Sequence, residues 1–82
     1  MNAFNKLLDF LIKLESHKIH YSLEHNRGEA VMVLIAVPGE RWEAEFFGDS
    51  HVEVEVFASV ATRGPARGLE GEEALDRLFQ SA

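Results

Sequence analysis

Residues 29–57 read EAVMVLIAVPGERWEAEFFGDSHVEVEVF, three candidate strands with both of their turns attached. Pro38-Gly39 is a two-residue turn, with proline supplying φ at its first central position and glycine a positive φ at its second. That turn pairs Ile35 with Trp42, Val33 with Ala44 and Val31 with Phe46. Gly48-Asp49-Ser50 is a three-residue loop that pairs Phe46 with Val52, Ala44 with Val54 and Trp42 with Val56. Both turns bring apolar residues onto one common face. A slip of one residue would put every side chain on the other face, so this agreement fixes the register.

The pattern extends outward in both directions. From His17 the hydrophobic period is two: Ile19, Tyr21 and Leu23 alternate with Lys18, His20, Ser22 and Glu24, as in a half-buried strand. A three-residue loop at Asn26-Arg27-Gly28 would join it to the next strand and pair Leu23 with Val31 and Tyr21 with Val33. Before it, residues 2–16 carry Phe4, Leu7, Leu8, Leu11 and Leu14 at helical spacing, flanked by Phe10 and Ile12, with Asn2 as N-cap. After the strands, the glycines and proline of residues 59–69 mark a loop. A second helix is expected over residues 70–81, with Glu70, Glu72 and Glu73 at its positive end and Leu75, Leu78, Phe79 and Ala82 as its apolar stripe. The order α-β-β-β-β-α predicts an α+β fold. It is a two-layer sandwich in which a four-stranded antiparallel meander, order 1-2-3-4, carries both helices on one face. The covered face would hold Ile19, Tyr21, Leu23, Val31, Val33, Ile35, Val37, Trp42, Ala44, Phe46, Val52, Val54 and Val56.

The same register composes the uncovered face. Met32, Leu34 and Ala36 form an apolar strip along the second strand, with Phe47 and Phe57 at its margins. Exposed apolar patches of this kind mark interfaces. Beside the strip, Glu43 stands opposite Glu55 and Glu45 opposite Glu53, although like charges across a ladder are destabilising. The formal charge of −6 is concentrated there. Residues 40–55 hold six acids against Arg41, whereas the acids after residue 69 have a structural reason at a helix N-terminus.

Chain length and composition exclude several classes of function. Eighty-two residues, 46% of them hydrophobic, make a single domain over residues 1–82 and not a disordered chain. No cysteine is present, which rules out a disulfide scaffold and a thiolate metal site. The acidic balance argues against nucleic acid as a partner. The longest apolar run, Ala30 to Pro38, is far too short to cross a membrane as a helix, and Lys6, Asp9, Lys13 and Glu15 interrupt any signal-like run. Cytoplasmic residence is the expectation. The four histidines show no metal-ligand spacing, the serines no nucleophile elbow, and the paired carboxylates no cleft, so neither a metal, a cofactor nor an enzyme is expected. Arg63 and Arg67 in the glycine-rich loop are candidates for gripping an anion.

The stretches VPGERWEAEFF (Val37–Phe47), VEVEVF (Val52–Phe57) and EALDRLF (Glu73–Phe79) resemble small uncharacterised bacterial α+β proteins. The resemblance implies a bacterial origin and an α+β fold, and no reaction. Those proteins tend to have Asp-Gly where this chain has Asp49-Ser50. The expected function is that of a non-enzymatic protein-interaction module, a homodimer through the helix-free sheet face centred on Met32 and Leu34. The alternative is an immunity- or antitoxin-like inhibitor that meets a basic protein partner through Glu43, Glu45, Glu53 and Glu55.

Overall fold

The computed structural model of the chain describes residues 2–58, 68–70 and 72–80. Helix α1 (Ala3–Ser16) precedes strands β1 (His20–Arg27), β2 (Ala30–Val37), β3 (Glu40–Phe47), β4 (Val52–Ala58) and β5 (Gly68–Glu70). A 3₁₀ turn (Glu72–Leu75) then leads into α2 (Asp76–Gln80). The strands form one antiparallel sheet in sequence order. The first four make the expected meander, and the two helices share one face of it in an α+β arrangement.

The central register is the one the turns dictate. Val37 pairs with Glu40 around Pro38-Gly39, and Ile35 with Trp42, Val33 with Ala44 and Val31 with Phe46 follow. Gly39 sits at φ +82°, as the second central position of a type II turn requires. In the β3–β4 loop, the Ser50 N–H donates to the Phe47 carbonyl and the Phe47 N–H to the His51 carbonyl, both at 2.9 Å. Ser50 holds φ +76°, so this is a type I turn closed by a left-handed residue.

The first hairpin differs from expectation. It turns at Gly28-Glu29, with Arg27 pairing Ala30, and a bulge between Glu24 and Arg27 absorbs the one extra residue. Tyr21 therefore pairs with Ile35 and Leu23 with Val33, two residues from the expected register. An even shift keeps each side chain on its face. The strand also starts later, at His20, because residues 17–19 finish α1. The Ile19 N–H donates to the Leu14 carbonyl at 2.9 Å and the Lys18 N–H to the Glu15 carbonyl at 3.0 Å, a Schellman motif with Lys18 at φ +58°. At the other end, Asn2 caps α1 by accepting from the Asn5 N–H at 2.8 Å.

One core lies between sheet and helices. Phe10 and Leu14 of α1, Ala74, Leu75 and Leu78 near the C-terminus, and Val33, Ile35, Trp42, Ala44, Phe46, Val52, Val54 and Val56 of the sheet form one buried cluster. Phe10 lies 5.3 Å from Phe46 and 6.1 Å from Phe79 between ring centroids, tying both helices to the sheet. Each large side chain buried this way is worth about 1.5–3 kcal/mol.

Three expectations are corrected. The buried stripe of α1 is centred on Phe10 and Leu14, with Leu7 and Leu11 half-buried, while Phe4, Leu8 and Ile12 are exposed. Leu23 of β1 is also exposed. Gly68 to Glu70 form a strand where a loop and the first helical turn were expected. They pair with Val56, Glu55 and Val54 and satisfy the backbone edge of β4. Arg63 and Arg67 lie outside the described residues, as does Ala82.

Candidate functional site

The helix-free face is built by alternate residues of four strands. Arg27 and Ala30 face each other at the first turn, and Glu24, Met32, Glu45 and Glu53 form the next row across the sheet. Ser22, Leu34, Glu43 and Glu55 form a second row, and His20, Ala36, Arg41 and Phe57 a third. The rows of carboxylates sit where the sequence placed them.

Met32, Leu34, Phe47 and Phe57 are half-buried and Ala36 is exposed, so the apolar strip is narrow and partly shaded by its neighbours. Arg41 lies over the Phe57 ring at 4.5 Å. His51 stacks on Phe47 with centroids 4.6 Å apart and planes 10° apart, and Arg27 lies 5.4 Å from the same ring. Long cationic side chains thus cover the two margins of the strip.

The same side chains pair with part of the acidic band. Arg27 Nη2 lies 3.2 Å from Glu45 Oε1, Arg41 Nε lies 3.7 Å from Glu43 Oε2, and His51 Nε2 lies 3.2 Å from Glu53 Oε2. Asp49 fixes His51 further by accepting from its backbone N–H at 2.9 Å. Glu45 is buried, although it belongs to the face that no helix covers among the described residues. A buried carboxylate needs a partner, and the Arg27 guanidinium supplies it. On β1 to β4 this face carries five carboxylates (Glu24, Glu43, Glu45, Glu53 and Glu55) against two guanidiniums (Arg27 and Arg41), a formal excess of three negative charges.

Comparison with family models, curated proteins and solved structures gave no match.

Arg27 is the residue the sequence reading missed. The expected loop put it at the tip of a turn. The bulge restores its alternation, so it faces the same way as Ala30 and Glu45. The exposed stripe of α1 was also missed, because all the apolar residues of that helix were assigned to the core.

Concavities among the described residues lie mainly around the helices. A cleft of about 430 Å³ separates α1 from the C-terminal elements and is lined by Lys6, Phe10, Lys13, Glu73, Asp76 and Phe79 among others. Its two lysines are committed: Lys6 Nζ donates to the Ser50 carbonyl at 2.7 Å, and Lys13 Nζ lies 4.6 Å over the Phe79 ring. A hollow of about 310 Å³ under the start of α1 is lined by Phe4, Leu7, His25 and Val31, among others. A third, of about 290 Å³, lies beside Trp42 and Arg77. Among the described residues no three His, Asp or Glu side chains gather to hold a metal ion, and no helix is long and apolar enough to cross a membrane.

Proposed function

We propose that the chain is a small non-enzymatic protein-interaction module and that its helix-free sheet face docks a basic partner. The observation that carries this reading is the mismatch of charge on that face. Two guanidiniums serve five carboxylates, four of them in the facing pairs Glu43/Glu55 and Glu45/Glu53 beside Met32 and Leu34. A partner bringing lysine or arginine around an apolar centre would relieve Glu43/Glu55 and Glu45/Glu53 repulsion and cover the strip in one step. An inhibitor that neutralises a basic protein surface belongs to this class.

Self-association on this face is the second reading, favoured by the continuous strip Met32, Leu34 and Ala36. Like excess charge on both copies opposes it.

The test is capture of basic proteins from the chain's native lysate by the tethered protein. Binding should weaken steeply with added salt and be lost in the Glu43→Gln/Glu55→Gln double variant. Salt-insensitive capture, or capture unchanged in that variant, would overturn the reading. Light scattering on Leu34→Glu separates the second reading, because a self-association on this face would not survive a charge at its centre.

A further inference from the structure

We propose that a second copy of the chain docks along the outer edge of β1, pairing β1 with β1 antiparallel and packing α1 against α1 about a single two-fold axis. This edge borders the helix-free face without covering it, and the proposal stands independently of the function argued above.

The exposed large apolar side chains among the described residues are Phe4, Leu8, Ile12 and Leu23. Phe4, Leu8 and Ile12 are spaced by four and make one ridge along α1. The flank they occupy is fixed by their neighbours. Glu15 shares that flank, seven residues beyond Leu8 and three beyond Ile12, and it accepts a hydrogen bond from the Tyr21 hydroxyl of β1. Lys6 and Lys13 lie on the opposite flank, where they line the cleft with Phe79. The ridge therefore overhangs β1, and Leu23 rises from β1 on the same side of the sheet, since it pairs with the buried Val33.

Beneath the ridge runs a free backbone edge. β1 is the first strand of the sheet, eight residues long, with no neighbour on its outer side among the described residues. The hydrogen-bond phase follows from the turns. Val37 and Glu40 close a two-residue hairpin and exchange hydrogen bonds, so Ile35 and Val33 also turn their backbone groups to β3. Leu34 and Ala36 turn theirs to β1, where they meet Ser22 and His20. Tyr21 and Leu23 consequently aim their N–H and C=O groups outward, away from the sheet. An unpaired edge of this length is a template for another strand.

A second copy fits because both elements are self-complementary about the same point. Antiparallel pairing centred on Ser22 sets Tyr21 against the partner's Leu23, which hydrogen-bonds the outward groups and covers the exposed leucine. It also sets His20 against the partner's Glu24, a donor-bearing ring against a carboxylate, so the ends of the ladder place no like charges opposite each other. On α1, centring on Leu8 sets Phe4 against the partner's Ile12. Counting from the Ile19 N–H to Leu14 carbonyl bond, three strand residues span the length of about six to seven helix residues. Leu8 is thus level with Ser22, and one axis normal to the sheet passes through both. The two sheets become one ten-stranded sheet with its helices on one side and two helix-free faces merged on the other.

Sedimentation and light scattering over a concentration series test this, with circular dichroism to confirm folding. Wild type should dimerise, and Leu8→Lys and Ile12→Lys, both at exposed positions, should raise the dimer dissociation constant about tenfold or more. The chain has no cysteine, so Ser22→Cys introduces a single thiol. At a non-hydrogen-bonded pair its Cα would lie about 4.5 Å from its symmetry mate, within disulfide range. Ser22→Cys should oxidise to a covalent dimer far faster than Asp49→Cys, which lies in the β3–β4 loop. The proposal fails if wild type stays monomeric throughout, if Leu8→Lys leaves the dimer intact while Leu34→Glu dissolves it, or if the two cysteine variants cross-link equally.

Discussion

Arg27 holds Glu45 at 3.2 Å on the open face of the sheet, and Glu45 is buried directly across the ladder from Glu53. Removing the guanidinium would leave a buried carboxylate beside a second carboxylate. Arg27 itself is half exposed, which limits the loss. Arg27→Ala should cost about 1–2 kcal/mol in urea unfolding at neutral pH. Adding Glu53→Gln to that variant should recover part of the loss, since it removes the like charge opposite Glu45. A double variant no more stable than Arg27→Ala would show that the Glu45–Glu53 pairing carries no repulsion.

Tyr21 is the single tyrosine of the chain, so its titration can be read directly by phenolate absorbance. Its hydroxyl donates to the Glu15 carboxylate, and that hydrogen bond raises its pKa above the ordinary value, with burial and the Glu15 charge adding in the same direction. The unfolded chain therefore ionises first as pH rises. The stability contributed by this bond is fully present below the ordinary phenol pKa of about 10 and is lost as pH climbs through the higher folded-state value. Glu15→Gln should lower the folded midpoint and remove this alkaline loss. An unchanged midpoint would mean that the bond does not persist in solution.

The strongest sequence signals were those with two independent constraints. Pro38-Gly39 and Gly48-Asp49-Ser50 each admit one turn position, and the register that position gives also brings two apolar sets into coincidence. The β1–β2 turn had no such check. Asn26-Arg27-Gly28 and Gly28-Glu29 both place Tyr21 and Leu23 on the apolar face, because the two registers differ by an even number. That ambiguity hid Arg27 and with it the counter-ion of Glu45. The rotation of α1 was hidden for a similar reason. Its apolar arc, Phe4 to Leu14 with Phe10 and Ile12, is wider than the contact it makes, so periodicity could not say which edge is left exposed. The strand Gly68–Glu70 has three residues and no alternation long enough to read.

The setting of α1 is open to direct test. Phe10 contacts Phe46 and Phe79 in the core, whereas Phe4, six residues earlier, is 65% exposed. Phe10→Ala should cost about 3–5 kcal/mol, as deletion of a buried ring does. Phe4→Ala, measured in protein dilute enough to be monomeric, should stay within about 0.5 kcal/mol of wild type. Equal losses would mean that the helix sits on the sheet by the Phe4–Leu8 face instead.

Among the described residues, two with side chains occupy backbone conformations that glycine adopts without cost. Lys18 at φ +58° ends α1, and Ser50 at φ +76° ends the β3–β4 loop. In each case surrounding hydrogen bonds impose the conformation: the Schellman pair from Lys18 and Ile19, and the turn between Phe47 and Ser50. A left-handed L-residue costs about 1–2 kcal/mol, while glycine adds to the entropy of the unfolded chain by about half that or more. Lys18→Gly and Ser50→Gly should therefore each stabilise the protein by a few tenths to about 1 kcal/mol. The sites are far apart in the chain and share no hydrogen bond, so their effects should add in the double variant. Thermal unfolding of the two single variants and the double variant checks this. A loss of stability in Ser50→Gly would show that the serine side chain contributes more than its backbone strain costs.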